Sequence, residues 1–573
     1  MPNLRTGIKI IIALMGLAMV LFALLVPNES YAAALLNGSG KDLSWGPTLF
    51  RALLIFHGCL LVALGLWRRA SGSNEDGGPD RFERREATGP SAIAAMVALS
   101  FLALALRLWR LNSDLWIDEV LTLLDFVRKP IGEILVSFPS QNQHMLFSIL
   151  AHASTSVFGE SAWSLRLPAV MFGIGSIWAF FFLCKSLLGP REALLGSALM
   201  TVSYHHIWFS QNARGYTGLL LFTILATWCW LEALKTNQGR WWISYGASIV
   251  LGMWVHPTMA FVVAAQAFLH LALLIRPSLG GNAHRGVSPE RRAGIRPFAA
   301  WLLSVTATLQ LYALALHEFL AVGLHEESHD SEWTNPIWVV TETLKGLSIG
   351  FAGIAVVVFG GALVAFGWYT LFRRDRRAAI LMVLPALLAG GSMLLLGHNL
   401  WPRFFFFSMG FGLLLVIQGA TRLPAAVAGY VDLLKERAPF VHAAGLGFVG
   451  LLVVVSLFTL PKNYALPKQN FSGAKSFVES RISPGEGLVA VSLAGIVYGN
   501  YLTPHWATVG TGAELETYQH ENHRLWLVYT LPIEIKAARP DLWRMIQDDY
   551  DVVKVFPGTL NGGEVFVCQK KLN

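Results

Sequence analysis

Long apolar runs constrain the fold of this chain more than any other feature of its sequence. A helix that crosses the hydrocarbon core of a bilayer needs about 20 apolar residues. Hydrophobic residues make up 54% of the chain and charged residues 14%, whereas soluble globular proteins carry about 25% charged residues. We predict thirteen membrane spans, at 8–26, 48–67, 91–109, 163–185, 192–208, 216–235, 241–255, 257–275, 298–318, 345–371, 379–397, 404–420 and 441–460. The expected fold class is therefore a polytopic α-helical membrane protein.

Three arginine-rich loops, at 68–85, 276–296 and 373–377, set the orientation of these spans. Short loops rich in Lys and Arg stay in the cytoplasm. With the N-terminus inside, all three fall on the cytoplasmic side of the inner membrane. The net charge of +8 is then a topology signal, and no nucleic-acid partner is expected.

The first apolar run is followed by small residues at 30–34, as in a secretory signal peptide. We expect a retained helix. Cleavage is the alternative, and it would leave the topology of the other spans unchanged.

Changes in composition divide the chain into four parts. We predict an N-terminal transmembrane hairpin at 1–70, a polar cytoplasmic linker at 71–90, a membrane domain at 91–460 and a soluble α/β domain at 461–573. The last prediction rests on β-rich runs at 487–491, 525–529, 550–556 and 564–568, which alternate with helical stretches at 470–482 and 534–549. The thirteen-span count puts this α/β domain outside the cytoplasm, as a substrate-docking unit or structural cap.

Two adjacent carboxylates, Asp118 and Glu119, follow the outer end of the third predicted span. Carboxylates at a membrane surface are costly to keep dry, and they suit proton transfer or the handling of a charged leaving group. A simpler interpretation is that they only pair with Arg107 or Arg110 at the interface.

Further polar residues collect in other loops on the same predicted face. They lie in the segments 141–144, 204–216, 256–257 and 398–403. Single histidines or Trp-Pro-Arg segments at helix ends are usually interfacial caps or anchors. Together, however, these segments supply carboxylates for proton transfer, with cations and amides for a phosphate.

These motifs resemble the membrane glycosyltransferases of the GT-C class, specifically the protein O-mannosyltransferase and aminoarabinose transferase group. The similar residues are Asp118-Glu119, the segment from Gln141 to His144, and Gln211-Asn212-Ala213-Arg214-Gly215-Tyr216. The last matches the group's Gln-Glu-Ala-Arg-x-Tyr pattern with Asn212 in place of Glu. The group's His-Pro-Pro-Leu-Tyr segment appears as His144-Met145-Leu146-Phe147.

The resemblance implies transfer of a monosaccharide from a polyprenyl phosphate to an extracytoplasmic acceptor, by inverting displacement. It implies Asp118 as the catalytic base and Glu119 as its partner. Arg214 and Arg403 have the chemistry to bind the departing phosphate. We expect substrate-binding or supporting roles for His144, Gln211, Tyr216 and His256.

The resemblance leaves open both the acceptor and the cofactor. The acceptor could be a protein, lipid A or another glycolipid, or a polysaccharide. A divalent metal (Mg, Mn or Zn) is also left open, with Asp118 and Glu119 as its ligands.

A second motif, His325-Glu326-Glu327-Ser328-His329, matches the zinc signature of metalloproteases. It lies in an acidic loop without an apolar helical pattern, so we interpret it as an incidental acidic loop. An auxiliary metal site at His325 and His329, or a membrane protease, is the alternative. A lipid or glycan transporter or flippase is a further alternative, although such proteins place ionisable groups near the bilayer midplane.

Overall fold

A computed structural model describes residues 2–36, 41–66, 89–280, 288–323, 335–347, 353–429, 438–522 and 524–571. The predicted linker at 71–90 lies outside the described residues except for its last two positions. Helices α1 to α11 are Pro2–Leu25, Asn28–Leu36, Gly46–Leu66, Pro90–Leu108, Ile117–Thr122, Ile131–Val136, Met145–Phe158, Ala162–Leu187, Pro190–Thr201, Tyr204–Ser210 and Tyr216–Thr236. Helices α12 to α21 are Gly239–Val255, Met259–Ile275, Pro289–Ala293, Arg296–Tyr312, Leu316–Glu318, Pro336–Leu347, Gly353–Arg374, Arg376–Leu395, Met409–Ala428 and Ala438–Leu457.

The chain is a multi-pass membrane protein. Seven helical segments of the described residues are long and apolar enough to cross a bilayer, and two further pairs of helices qualify if each bent pair is one span. The predicted span 192–208 forms two shorter helices, α9 and α10, of 12 and 7 residues. The predicted span 257–275 forms the 17-residue α13. The total of thirteen spans stays a prediction.

The N-terminal hairpin is built on close contact between two glycines. A Cβ added at Gly16 would lie 2.5 Å from the carbonyl oxygen of Gly58, and one at Gly58 would lie 2.7 Å from that of Gly16. Small residues let membrane helices approach at backbone distance, so α1 and α3 pack directly on each other. Between them α2 bends away from α1 by 96° and packs against α6.

Helix α11 is the central helix of the membrane part. In its most apolar stretch, 83% of the residues are buried inside the structure. They pack mainly against α8 and α12. Its first residue is Tyr216, so the preceding loop, which carries Arg214, is joined directly to this buried helix.

The C-terminal region (residues 461–571) contains a five-stranded mixed sheet. Its strands are β1 Gly487–Val491, β2 Ala507–Val509, β3 Leu525–Thr530, β4 Tyr550–Phe556 and β5 Val565–Lys570, in the order β2-β1-β3-β5-β4. Strands β2, β1 and β3 are parallel, whereas β5 is antiparallel to β3 and β4. The helices are Leu460–Ala465, Phe471–Glu479, Leu493–Val497, Gly512–Glu521, Pro532–Ala538 and Pro540–Asp549.

One face of this sheet packs on the membrane part. A single apolar cluster joins Ile117 and Val120 of α5 to Ala494 and Val497, which follow β1. The other face has its own core, which includes Val489 and Leu527. Strand β3 is buried at every residue because it has a core on both faces.

Candidate functional site

The Asp-Glu pair lies on α5, a short helix that starts immediately after Trp116. The Glu119 carboxylate accepts the backbone N–H of Trp116 at 3.2 Å. This contact satisfies one of the N–H groups that a helix leaves unpaired at its start. A carboxylate is also favoured there by the helix dipole. These contacts stabilise the start of α5 just before Asp118.

The Glu119 side chain is fully buried and holds this turn in place. Arg166 of α8 donates to its two carboxylate oxygens at 2.7 and 2.6 Å, and the backbone N–H of Ala213 donates at 2.6 Å. Burial by itself raises the pKa of Glu119, but Arg166, Lys468 and the Ala213 N–H together hold it below its usual value. Glu119 is therefore an ionised structural anchor.

Arg166 also fixes the chain in front of the pair. Its guanidinium donates to the carbonyl oxygens of Leu111 and Ser113 at 2.7 and 2.9 Å, and to that of Asp114 at 2.8 Å. One buried arginine thus organises the segment from 111 to 119.

Asp118 has a different environment from Glu119. Its Oδ2 lies 3.9 Å from Nη2 of Arg214 and 3.6 Å from Nη1 of Arg403. Within the described residues this oxygen is buried and has no hydrogen-bond partner. Asp118 is therefore held between two cations but keeps an unused acceptor.

Arg214 is positioned by the loop that leads into α11. Its Nη1 donates to the carbonyl oxygen of Asn142 at 3.1 Å, and its Nη2 donates to the Tyr216 hydroxyl at 3.4 Å. Asn142 in turn donates from Nδ2 to the carbonyl oxygen of Asp118 at 3.3 Å. Asp118, Asn142, Arg214 and Tyr216 thus form one connected group.

Arg403 is far from Asp118 in the sequence and lies in the 3₁₀ helix Pro402–Ser408. Its guanidinium lies 4.7 Å from the ring centre of Trp401 and 5.9 Å from that of Trp116. Arginine stacks well on aromatic faces. The two tryptophans therefore orient its charge toward Asp118.

Two buried histidines complete the group. The ring of His144 lies 4.8 Å from that of His256 and 5.2 Å from that of Tyr216. Burial, and then the charge of Arg214, lowers the pKa of His144 well below its usual value. Burial, followed by Arg214 and Arg403, lowers the pKa of His256 to about 3. Both imidazoles are neutral at pH 7.

The structure therefore brings Asp118, His144, Arg214, Tyr216, His256 and Arg403 together. The Gln211 amide is used elsewhere. It donates to the carbonyl oxygens of Arg107 and Trp109 at 2.9 and 2.8 Å, and it accepts from Asn463 at 3.0 Å. Its contacts fix the end of α4.

The simpler interpretation of the two acids is not what the structure shows. Arg107 donates to Ser210 and contacts His206, and Arg110 donates to the Tyr464 carbonyl oxygen. The acids pair instead with Arg166, Arg214 and Arg403.

A metal ion fits poorly beside the acidic pair. Both oxygens of Glu119 are already used by Arg166 and by backbone N–H groups, and Asp118 faces two guanidinium cations. Among the residues that the structure describes, no three His, Cys, Asp or Glu side chains are grouped to hold a metal. His325 and His329 lie outside the described residues.

Arg166, Lys468 and Gln469 were not singled out from the sequence. Arg166 had a usable signal, since an arginine inside an apolar run is costly unless it has a buried partner. Lys468 and Gln469 follow Pro467 in an irregular segment, and their role depends on contacts more than 250 residues away.

Comparison with known proteins gives a partial match. Residues 142–282 match the family model described as dolichyl-phosphate-mannose-protein mannosyltransferase. The resemblance predicted from the sequence is confirmed over this segment. It contains His144, Gln211, Arg214, Tyr216 and His256.

Two proteins of Bacillus subtilis (strain 168), provisionally named mannosyltransferases YkcB and YycA, are similar to this chain over a segment about as long as the family match. YkcB is 27% identical over 131 residues, which are 23% of this chain and 17% of YkcB. YycA is 26% identical over 124 residues, which are 22% of this chain and 18% of YycA. The match thus spans less than a fifth of these relatives.

Two solved structures resemble this chain over most of its length. ArnT from Cupriavidus metallidurans in the apo state is 12% identical, with a TM-score of 0.46 over 84% of this chain and 98% of ArnT. The Archaeoglobus fulgidus oligosaccharyltransferase tethered to an acceptor peptide is 13% identical, with a TM-score of 0.47 over 83% of this chain and 74% of that enzyme.

Proposed function

We propose that this chain is a GT-C membrane glycosyltransferase that moves a monosaccharide from a polyprenyl phosphate to an extracytoplasmic acceptor. The observation that carries the proposal is the environment of Asp118. Its Oδ2 is buried with no hydrogen-bond partner in the described residues and lies between the guanidinium groups of Arg214 and Arg403. The partial match to a mannosyltransferase family model supports the same function.

The charges around Asp118 favour an anionic ligand. Glu119 is offset by Arg166, and His144 and His256 are neutral. Asp118 therefore faces the guanidinium groups of two arginines. Because guanidinium groups bind phosphate through paired hydrogen bonds, Arg214 and Arg403 would hold the phosphate of the donor.

The proposed reaction is a single displacement at the anomeric carbon of the sugar. The acceptor oxygen forms a bond to that carbon while the bond from the carbon to the phosphate oxygen breaks. Asp118 takes the acceptor proton, which contributes roughly 10²–10⁴ to the rate. The two arginines stabilise the charge that develops on the departing phosphate. No step requires a metal ion.

The finer topology belongs to the same proposal. Thirteen spans with a cytoplasmic N-terminus would place the arginine-rich loops inside, and Asp118 and the C-terminal α/β domain outside. The prenyl tail of the donor would lie between spans at the outer face of the inner membrane.

The acceptor is found by comparing cells with and without the intact gene. Mass spectrometry of their lipid, glycan and protein fractions should show one fraction that loses a sugar. That fraction, added to purified chain with the polyprenyl phosphate of the lost sugar, then gives a transfer assay. If no fraction changes, the proposed function is wrong.

Asp118→Asn tests the proposed base in this assay. We expect turnover to fall at least roughly 100-fold while the protein remains folded, because the amide cannot take the acceptor proton. The matched control is Asp125→Asn, at an exposed carboxylate in the same segment, which should keep wild-type turnover. Retained turnover in Asp118→Asn would overturn the assignment.

A further inference from the structure

The buried side chain of Gln469 joins the C-terminal sheet to the start of α5. Its Oε1 accepts the backbone N–H of Ile117 at 2.9 Å. Its Nε2 donates to the Thr530 hydroxyl at 2.9 Å and to the Gly563 carbonyl oxygen at 3.1 Å. A backbone N–H can only donate, so the orientation of this amide is fixed by its partners.

The bond to Ile117 acts directly beside Asp118. Ile117 is the first residue of α5 and Asp118 the second. The first N–H groups of a helix have no partner within the helix, and Gln469 supplies one from outside. Through Gln469, the backbone just before Asp118 is therefore linked to Thr530, at the end of β3, and to Gly563, just before β5.

A second contact holds the other side of the same turn. The Asp114 carboxylate accepts the backbone N–H of Ser472 at 2.8 Å and the Ser472 hydroxyl at 2.9 Å. Asp114 and Ile117 are thus both bonded to residues just beyond the last membrane helix. The two residues between them, Leu115 and Trp116, are buried.

Lys468 adds a charge to this junction. It is buried, donates to the Gln211 carbonyl oxygen and lies 5.1 Å from the ring centre of Trp208. Trp208 in turn donates to the Thr559 hydroxyl at 3.0 Å. The segment 468–472 therefore contacts both the loop before α5, at Asp114, and the loop before α11, at Gln211.

We propose that Gln469 is a positioning residue for the Asp118 carboxylate, and that the C-terminal region is an integral part of the catalytic apparatus. The proposal rests on the function proposed above for Asp118. Without the bond from Gln469, the start of α5 can rotate or fray, and the carboxylate moves relative to Arg214 and Arg403. A displacement of about 1 Å at a reacting group can lower a rate roughly 100-fold.

The test is Gln469→Met, which keeps the length of the side chain and removes its hydrogen bonds. We expect kcat to fall roughly 10- to 100-fold, with the KM for the polyprenyl-phosphate donor within about twofold of wild type, because Arg214 and Arg403 remain. Amide hydrogen exchange of the peptide over 117–122 should become roughly tenfold faster.

Gln519→Met is the matched control. Gln519 lies in the same region, and its amide donates to Asp549 at 3.0 Å and to the Tyr550 hydroxyl at 3.3 Å. This variant should keep wild-type kcat and wild-type exchange at 117–122. If Gln469→Met fails to fold, the same measurements are made on Thr530→Val. This variant removes the hydroxyl that accepts from Gln469 and keeps a side chain of similar volume.

Unchanged kcat and exchange in Gln469→Met would overturn the proposal, as would equal losses in Gln519→Met. The two readouts separate this proposal from the proposed function. If the wild-type chain transfers no sugar, the function fails while the exchange at 117–122 still tests the positioning role. If the wild-type chain is active and Gln469→Met matches it, only the positioning role fails.

Discussion

Asp118 and Glu119 are neighbours in sequence but have opposite environments. Glu119 uses both carboxylate oxygens in contacts with Arg166 and backbone N–H groups, whereas Asp118 keeps an oxygen without a hydrogen bond within the described residues. In a short helix, consecutive side chains point in different directions. One acid is therefore turned into the protein and the other toward Arg214 and Arg403.

Glu119→Gln should destabilise the protein by about 3–5 kcal/mol, because it leaves the buried Arg166 charge without its partner. Thermal unfolding in detergent measures this change. The control is Glu160→Gln, which breaks an exposed pair with Arg128 and should cost about 0–1 kcal/mol. Equal losses for the two variants would contradict the anchoring role of Glu119.

The histidines give a dependence of stability on pH. The pKa of His256 lies at about 3 in the folded chain, below its usual 6.5. Between these values the unfolded chain binds more protons, so stability is greatest above pH 6.5 and falls as the pH is lowered. From pH 6.5 to 5 the loss is about 2 kcal/mol for one such group.

Melting temperatures between pH 7 and 5 measure this effect. His256→Gln should flatten the dependence, and His520→Gln, at an exposed histidine, should leave it as in wild type. A wild-type slope in His256→Gln would rule out the buried neutral imidazole as its source.

At this scale, the sequence predicted which residues lie close together but not the role of each one. Asp118, Arg214 and Arg403 were predicted as one site, and the structure places a guanidinium nitrogen of each arginine within 4 Å of Asp118 Oδ2. Residue type and predicted face were sufficient for that. Gln211 and Glu119 share those features, but their buried partners come from distant segments, which a single sequence does not reveal.

At the scale of elements, close helix contacts depend on individual glycines. A Cβ at Gly367 of α18 would lie 1.9 Å from the carbonyl oxygen of Leu415 in α20. Gly361 lies on the same helix, and a Cβ there would have no atom within 4 Å. The two positions form a matched pair for one substitution.

Gly367→Ala should lower the melting temperature or prevent folding, because the added methyl group forces the backbones of α18 and α20 apart. Gly361→Ala should be neutral or slightly stabilising, since alanine favours a helix by about 1 kcal/mol over glycine. Size-exclusion chromatography after heating compares the folded fractions. If both variants behave alike, the contact between α18 and α20 is not as close as described.

The elements of the C-terminal region were largely predictable. Predicted strands at 487–491, 525–529, 550–556 and 564–568 overlap β1, β3, β4 and β5. Strand β2 has three residues, too few for an alternating pattern to show. The predicted helix at 534–549 is divided at Arg539, where Pro540 disfavours a helical conformation of the preceding residue.

At the scale of the whole molecule, the proposed orientation predicts which positions a membrane-impermeant reagent can reach. In a Cys59→Ser background, Ser480→Cys should react with an impermeant maleimide added to spheroplasts. Arg374→Cys should react only after lysis. Both positions are exposed, so access depends on the side of the membrane. Reaction of Arg374→Cys in intact spheroplasts would reverse the topology and the proposed extracytoplasmic site.

The strand order of the C-terminal sheet has a consequence for biogenesis. Strand β3 pairs with β5, which follows β4 in the chain, and Gln469 bonds the carbonyl oxygen of Gly563. The loop before α5 is synthesised more than 400 residues before Gly563, so the Gln469 amide that bonds Ile117 gains this partner only after Gly563 has been added. If the proposed positioning role of Gln469 holds, a nascent chain stalled before Gly563 would already contain every membrane helix described above and would still lack one partner of the Gln469 amide.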